Sequence, residues 1–376
     1  MQSKSAASWQ VAETPLSPMR YARGMLAGKA TTEGTARFAE GSGAARGHFR
    51  AGLQDLHLSS LGIGTYLGRD DAKTDALYAA SVRRALQLGI NVVDSAVNYR
   101  NQRSERAVGA AIREGGLPRE QIVVCTKGGY IPFDGARPHD LRAYLEDTFI
   151  RPGILAADDI VAGCHAMTPR YLDDQIDRSR RNLGLDCIDV YYVHNPETQL
   201  GEVPRAEFLR RLREAFGALE KACSDGRIAS YGTATWNGYL LDAGEEEHLR
   251  LDEVLAAARD AGGAQHHFRA LQLPFNLEMD EAATKKNQAG RTLLAAARDA
   301  GLSVFASASV LQGRLTQKLP QPVRDSLQGL ASDAQRALQF ARSTPGITCA
   351  LVGMKTPAHV DENAALAKVA TATGDA

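Results

Sequence analysis

Four side chains between positions 94 and 194 could together move a proton: Asp94, Tyr99, Lys127 and His194. The first run reads Asn91-Val-Val-Asp94 followed by Ser-Ala-Val-Asn-Tyr99; the next two are Val123-Val-Cys-Thr-Lys127 and Asp189-Val-Tyr-Tyr-Val-His194. A phenol ionises near pH ~10 in water, and an ammonium within hydrogen-bond reach stabilises the phenolate and brings it toward working range. An aspartate would hold that lysine charged and oriented, while a histidine would aim or polarise a carbonyl oxygen. Singly, each has a plainer role: a helix cap for the Asp, solvent contact for the Lys, a satisfied core position for the His. Capping suits Asp94 poorly, because helical periodicity resumes only near Ser104.

The elements that must bring these groups together are legible along the 376 residues. Short runs rich in Val and Ile, apolar at successive positions, predict strands at 61–65, 90–93, 122–126, 188–193, 228–232, 268–273, 302–306 and 348–352. Amphipathic stretches predict helices at 74–88, 103–114, 169–183, 206–225, 249–261, 288–300, 333–343 and 357–368. Gly89, Gly184, Gly226 and Gly301 fall between a helix and the next strand, as C-caps do. Eight such units can close into a (β/α)₈ TIM barrel or stay an open doubly wound sheet; the count favours the barrel. Two connections are long, from Gly128 to about Thr168 with a helix at Asp140–Phe149, and from Ser307 to about Ser332. Both follow strand C-termini, so these loops after strands 3 and 7 are candidates for substrate and cofactor contacts. Residues 1–55, poor in Ile and Val and without sustained periodicity, read as an N-terminal arm or disordered tail, leaving 56–376 as the barrel.

Composition excludes other classes. The 44 basic and 44 acidic residues cancel, which removes the basic field a nucleic-acid binder needs. No apolar run nears the roughly 20 residues that span a bilayer, and Met1 is not followed by a basic patch and apolar core, so a soluble cytoplasmic protein is expected. A transit peptide in the arm is opposed by Glu13, Glu33 and Glu40. Cys125, Cys164, Cys187, Cys223 and Cys349 are scattered within apolar patterns and read as core residues. His165, His266 and His267 lack metal-ligand spacing, and no metal is expected. A Rossmann-type loop at Gly62-Ile-Gly64-Thr-Tyr-Leu-Gly68 fails, because Arg69-Asp-Asp follows where a helix should open.

The stretch Gly89-Ile-Asn-Val-Val-Asp94-Ser-Ala-Val-Asn-Tyr99, with Ser104-Glu105 and Gly109 following, resembles the signature of the aldo-keto reductase superfamily. Lys127 and His194 match its other tetrad positions, and Tyr231–Trp236, Leu271–Asn276 and Gly353–Asn363 match cofactor segments; the likeness spans roughly residues 57 to 368. It implies a barrel that binds NADP(H), less readily NAD(H), in an extended pose and reduces a small-molecule carbonyl or oxidises the alcohol. Tyr99 would be the general acid, Lys127 and Asp94 would tune it, and His194 would position the carbonyl. Cofactor contacts are implied at Gly64, Thr65, Asp94, Ala234, Thr235, Gln272, Ser307, Leu311, Gly313 and Gly353, with Lys355 and His359 near the 2′-phosphate and Glu362 and Asn363 near the adenine. Ala234 and Thr235 replace the common Ser and Asn, Ser307 replaces a stacking aromatic, and Ser309 replaces a common Pro; Trp236 would supply the missing face. Tyr66, Arg100 and Trp236 are the substrate candidates, with Arg100 or Arg103 meeting an anionic or hydroxylated substrate. The alternative is a weak or silent NADP(H)-binding barrel serving as a redox-sensing or scaffolding subunit. Oligomeric state is left open.

Overall fold

The computed structural model describes residues 24–372. Ten strands occur there: β1 (Phe49–Gly52), β2 (Leu56–Ser59), β3 (Leu61–Gly64), β4 (Val92–Asp94), β5 (Val123–Gly128), β6 (Ile188–His194), β7 (Ile228–Ala234), β8 (Phe268–Pro274), β9 (Ser303–Ser307) and β10 (Cys349–Gly353). The last eight form a closed parallel barrel in the order β10-β3-β4-β5-β6-β7-β8-β9, the expected (β/α)₈ architecture.

Two apolar layers account for the continuous hydrophobicity of the strands. Val92, Val123, Cys125, Val190, Ala270, Phe305 and Leu351 fill the barrel interior. Their neighbours along the strands, Ile63, Val93, Val124, Tyr191, Leu271 and Val304, face the helices. Gly62 is required by the inner layer, since a Cβ there would lie 2.6 Å from Leu351 Cδ2. It belongs to β3, and the next helix opens only at Ala72 behind the Asp71 cap, so no Rossmann loop forms.

Several helices begin where a side chain satisfies a free amide. Asp71 Oδ1 accepts from Thr74 N at 2.8 Å, and Ser332 Oγ accepts from Gln335 N at 3.3 Å. Gly184, with φ 68°, ends Pro169–Leu183 in the left-handed conformation. The long connections after β5 and β9 are present, and Asp140–Phe149 holds a short helix at Leu141–Leu145 continuing to Ile150. Two further long connections, 235–250 and 275–292, were not anticipated. The helix expected over 288–300 is cut to Leu293–Asp299. Its first turn is lost because Ala289 (φ 50°) and Gly290 (φ 79°) form a turn, while the Gln288 amide binds Leu251 N and Leu249 O.

The arm needs correcting. Its first 23 residues lie outside the described ones, as do Glu13 and most of the segment on which the transit-peptide reading turns. The remainder is built into the fold: Thr32–Ser42 is a helix, and the β1–β2 hairpin straddles the expected boundary at residue 55. Leu53 and Leu58 join the barrel-interior cluster and seal its N-terminal end. Ala30 N donates to buried Asp189 at 2.7 Å, and Leu53 N donates to Ser303 Oγ at 2.9 Å. This segment also meets the end of the described chain: Ala45 N donates to Ala367 O at 2.8 Å and Lys368 Nζ to Ser42 O at 2.9 Å. The helix escaped notice because Phe38 is its one large apolar residue, too few to set a period. Cys125, Cys187 and Cys349 are buried and Cys223 half-buried as expected, but Cys164 is exposed in the loop after β5. Among the described residues no helix is long and apolar enough to cross a membrane, and no group of three metal-ligating side chains is found.

If the hairpin is a structural plug, Leu58→Ala, which empties a fully buried position, should cost about 2–5 kcal/mol in denaturant unfolding. An unchanged unfolding midpoint would contradict the plug.

Candidate active site

Strand register places the chemistry. Asp94 pairs with Gly64, which pairs in turn with Gly353. On the other side Ala234 pairs with both His194 and Gln272. Five strands therefore present polar or glycine residues at one level of the barrel's C-terminal rim, around a cavity of about 890 Å³.

At its floor lies a buried ion pair. Lys127 Nζ donates to Asp94 Oδ2 at 2.6 Å and to Ser95 O at 2.7 Å, with the lysine side chain 1% exposed. The same ammonium is 4.8 Å from the centroid of the Tyr99 ring. Burial pushes the Tyr99 phenol above its ordinary value; the Lys127 charge opposes this and the Asp94 charge adds to it. Burial wins over the ammonium, so Tyr99 holds its proton, the state a general acid requires. Burial would lower Lys127, yet Asp94 and Tyr99 outweigh it and the ammonium is held charged. His194 is driven well below the usual imidazole range by burial, then by Lys127 and His165, and is neutral. Its ring stands edge-on to Tyr99 with centroids 5.8 Å apart.

From this floor the cavity runs to the rim between β9 and β10. Its lining takes in Gly64, Thr65, Tyr66, Asp94, Tyr99 and His194, then Ala234, Thr235, Trp236, Gln272, Ser307 and Gly313. At the far end it includes Gly353, Lys355, His359, Glu362 and Asn363. Lys127 stands behind this wall, held by Asp94 and Ser95 O, with its ammonium against the Tyr99 ring. Gln272 Nε2 donates to Asp94 Oδ1 at 2.8 Å, which orients the amide inside the cavity. Thr65 spends its hydroxyl on Asp94 O and Ser95 Oγ, at 3.1 and 3.0 Å, and so shapes the wall.

The residues present fit a dinucleotide. Thr235 Oγ1, Asn98 Oδ1 and Asn363 Oδ1 are buried polar atoms without partners, and all three residues line the cavity. Thr235 thus offers a hydroxyl where the common amide is missing. Ala308, Gln312 and Gly313, with φ of 52°, 52° and 94°, give the loop after β9 its sharp course along the lining.

Two expected contacts are corrected. Arg100 (φ 48°) turns away from the cavity: its Nε donates to Arg69 O at 2.8 Å and its guanidinium pairs with Asp75. Arg103 binds the same carboxylate at 2.6 Å. Asp75 is shared by both guanidiniums and Tyr78 packs beneath Arg100, and neither arginine is part of the cavity lining. Leu311 does not line the cavity; it packs beside Leu315, Leu319 and Ala337. Conversely Leu67, Asn98, Tyr130, Asn195, Val310, Gln312, Thr316 and Gln317 line it without having been singled out. Tyr130, three positions past Lys127 in a loop already suspect, carried the best available signal.

The turn after β6 also holds the cavity mouth. Glu197 Oε1 accepts from Trp236 N at 2.7 Å and Gly238 N at 3.4 Å. Burial pushes this carboxyl up to about 7 from 4.5. Between those values the folded state keeps a proton that the unfolded chain has lost. Stability is therefore full below the unfolded value and declines as pH rises through about 7, by on the order of 3 kcal/mol. Glu197→Gln should flatten the difference in unfolding free energy between pH 5 and pH 8; parallel profiles for both proteins would refute this.

The sequence profile of the aldo/keto reductase family matches residues 60–374. A curated relative named NADH-specific methylglyoxal reductase, from Escherichia coli (strain K12), is 29% identical over 56% of this chain and 63% of its own length. D-threo-aldose 1-dehydrogenase from Pseudomonas sp is 27% identical over 78% of this chain and 84% of its own. Among solved structures, an aldo/keto reductase from Klebsiella pneumoniae in complex with NADP and acetate superposes with a TM-score of 0.58 at 20% identity, covering 88% of this chain and 93% of that one. With the profile spanning most of its length, the chain belongs to the aldo/keto reductase family.

Proposed function

We propose that the protein is an NADP(H)-dependent oxidoreductase interconverting a small neutral carbonyl compound and its alcohol. The observation that carries this is the protonated Tyr99 beside the buried Lys127–Asp94 pair, at the floor of a cavity whose other end presents Lys355 and His359.

Gln272 and Thr235 would hold the carboxamide of a nicotinamide ring, and a bound nicotinamide supplies the hydride in reduction or takes it in oxidation. Lys355 and His359 would receive the 2′-phosphate, and Asn363 the adenine. Lys355 and His359 both line the cavity, and an ammonium with an imidazole beside it suits a phosphate dianion. Tyr99 donates its phenolic proton to the developing alkoxide, and Lys127 stabilises the phenolate left behind. Asp94 keeps Lys127 aligned, and neutral His194 orients the carbonyl oxygen. In oxidation the phenolate accepts the alcohol proton. The substrate is read as neutral because Arg100 and Arg103 are committed to Asp75 and Lys127 to Asp94. Tyr66 and Trp236, 56% and 41% exposed at the mouth, offer it apolar surface.

Tyr99→Phe should lower kcat by roughly 10²–10⁴-fold, read as loss of NADPH absorbance with a panel of aldehydes, sugars and quinones. NADPH binding by fluorescence should be retained. Binding without turnover in the wild type, indistinguishable from Tyr99→Phe, would instead favour the silent-subunit alternative. Lys355→Ala should raise KM for NADPH by about tenfold, equivalent to ~1.4 kcal/mol, and leave KM for NADH unchanged. Equal effects on both cofactors would remove Lys355 from the phosphate site.

A further inference from the structure

We propose that His165, in the loop after β5, is a positioning residue that fixes the catalytic His194 through its backbone carbonyl. This rests on the carbonyl-oxidoreductase reading for its kinetic consequence, but its geometry stands independently.

His165 is fully buried, with its Nε2 2.7 Å from His194 O and its Nδ1 3.0 Å from Gln199 Nε2. An amide nitrogen can only donate and a carbonyl can only accept. The ring must therefore carry its proton on Nε2 and accept at Nδ1. The amide of Gln199 is itself oriented, because its Oε1 accepts from Arg211 Nη1 at 2.8 Å. A directed chain results, from Arg211 through Gln199 and His165 to the carbonyl of His194. Burial drives the imidazole down to about 4, so protonation does not break the chain at neutral pH.

The backbone around this contact is shaped to admit it. A Cβ on Gly129 would fall 2.7 Å from His165 Nε2 and 3.0 Å from His194 O, and Gly129 has φ 139°. Glycine here leaves room for the imidazole to reach the carbonyl. Tyr130 then stands edge-on to both rings, with centroids 5.2 Å from His165 and 5.1 Å from His194. Its hydroxyl accepts from Asn195 Nδ2 at 3.1 Å. His194 has no side-chain partner on Nδ1, so its ring is placed by its main chain and by these aromatic edges. The long loop thus sets the height of the catalytic imidazole in the cavity without touching substrate.

The test combines kinetics with a measurement that needs no turnover. In histidine-labelled protein, ¹⁵N spectra should show His165 protonated on Nε2 alone and not titrating from pH 5 to 8. His165→Leu should shift the His194 ring resonances, raise KM for the carbonyl substrate and lower kcat/KM by about 10²-fold, the scale of an ~1 Å misplacement. NADPH affinity should be unchanged. His165→Gln keeps a donor and should recover most activity, whereas Gly129→Ala, leaving the imidazole intact, should mimic His165→Leu. A His165 that titrates near its ordinary value, or a folded His165→Leu protein with wild-type His194 resonances, would overturn the assignment. If the wild type reduces no carbonyl on the panel, the functional reading fails while the spectra still decide the role of His165.

Discussion

The pairing of Lys127 with Asp94 inside the barrel is the interaction on which the rest of the site depends. Two charges removed from water cost several kcal/mol each unless geometry and extra hydrogen bonds compensate. Here the 2.6 Å contact is supplemented by Ser95 O on the ammonium and Gln272 on the carboxylate. Removing either partner would strand a buried charge, so the pair acts as one unit. It also explains why a site rich in ionisable residues is electrically quiet in its resting state. Tyr99 and His194 are both neutral, and Lys127 and Asp94 cancel. The one ammonium of this group is thereby already in place beside the Tyr99 ring.

Parallel strands covered on both faces leave an unusually readable trace, since most positions are apolar until the rim. That is why Asp94, Lys127 and His194 stood out as polar interruptions, and why all eight barrel strands were located. The misread residues are those whose direction is decided by backbone turns. Arg100, Asn101 and Gln102 are three successive residues with positive φ, and this left-handed run swings Arg100 toward Asp75. Proximity in sequence to Tyr99 gave no sign of it. Leu311, at φ 45°, is likewise rotated into an apolar cluster beside a loop that does line the cavity. Glu197 and His165 escaped for another reason: their partners lie on different loops, and only tertiary packing joins them.

Most positive groups near the rim are balanced locally. With Arg100 and Arg103 turned to Asp75 and Lys127 held by Asp94, the lining keeps Lys355 and His359 at one end, with an aromatic and amide surface at the other. The proposed dinucleotide would thus run from Lys355, His359 and Glu362 at one end to the neutral groups at the other.

The N-terminal hairpin has a consequence for the order in which the molecule can be completed. Its apolar residues Leu53 and Leu58 belong inside a cylinder that does not exist until β10 docks between β9 and β3. Residues 42–53 bond to residues 303, 367 and 368. During synthesis, a segment made early must wait for partners made more than 200 positions later. A nascent chain held before β10 would expose both the unfilled barrel end and its plug, so the final strand and the hairpin should become protected from exchange in the same step.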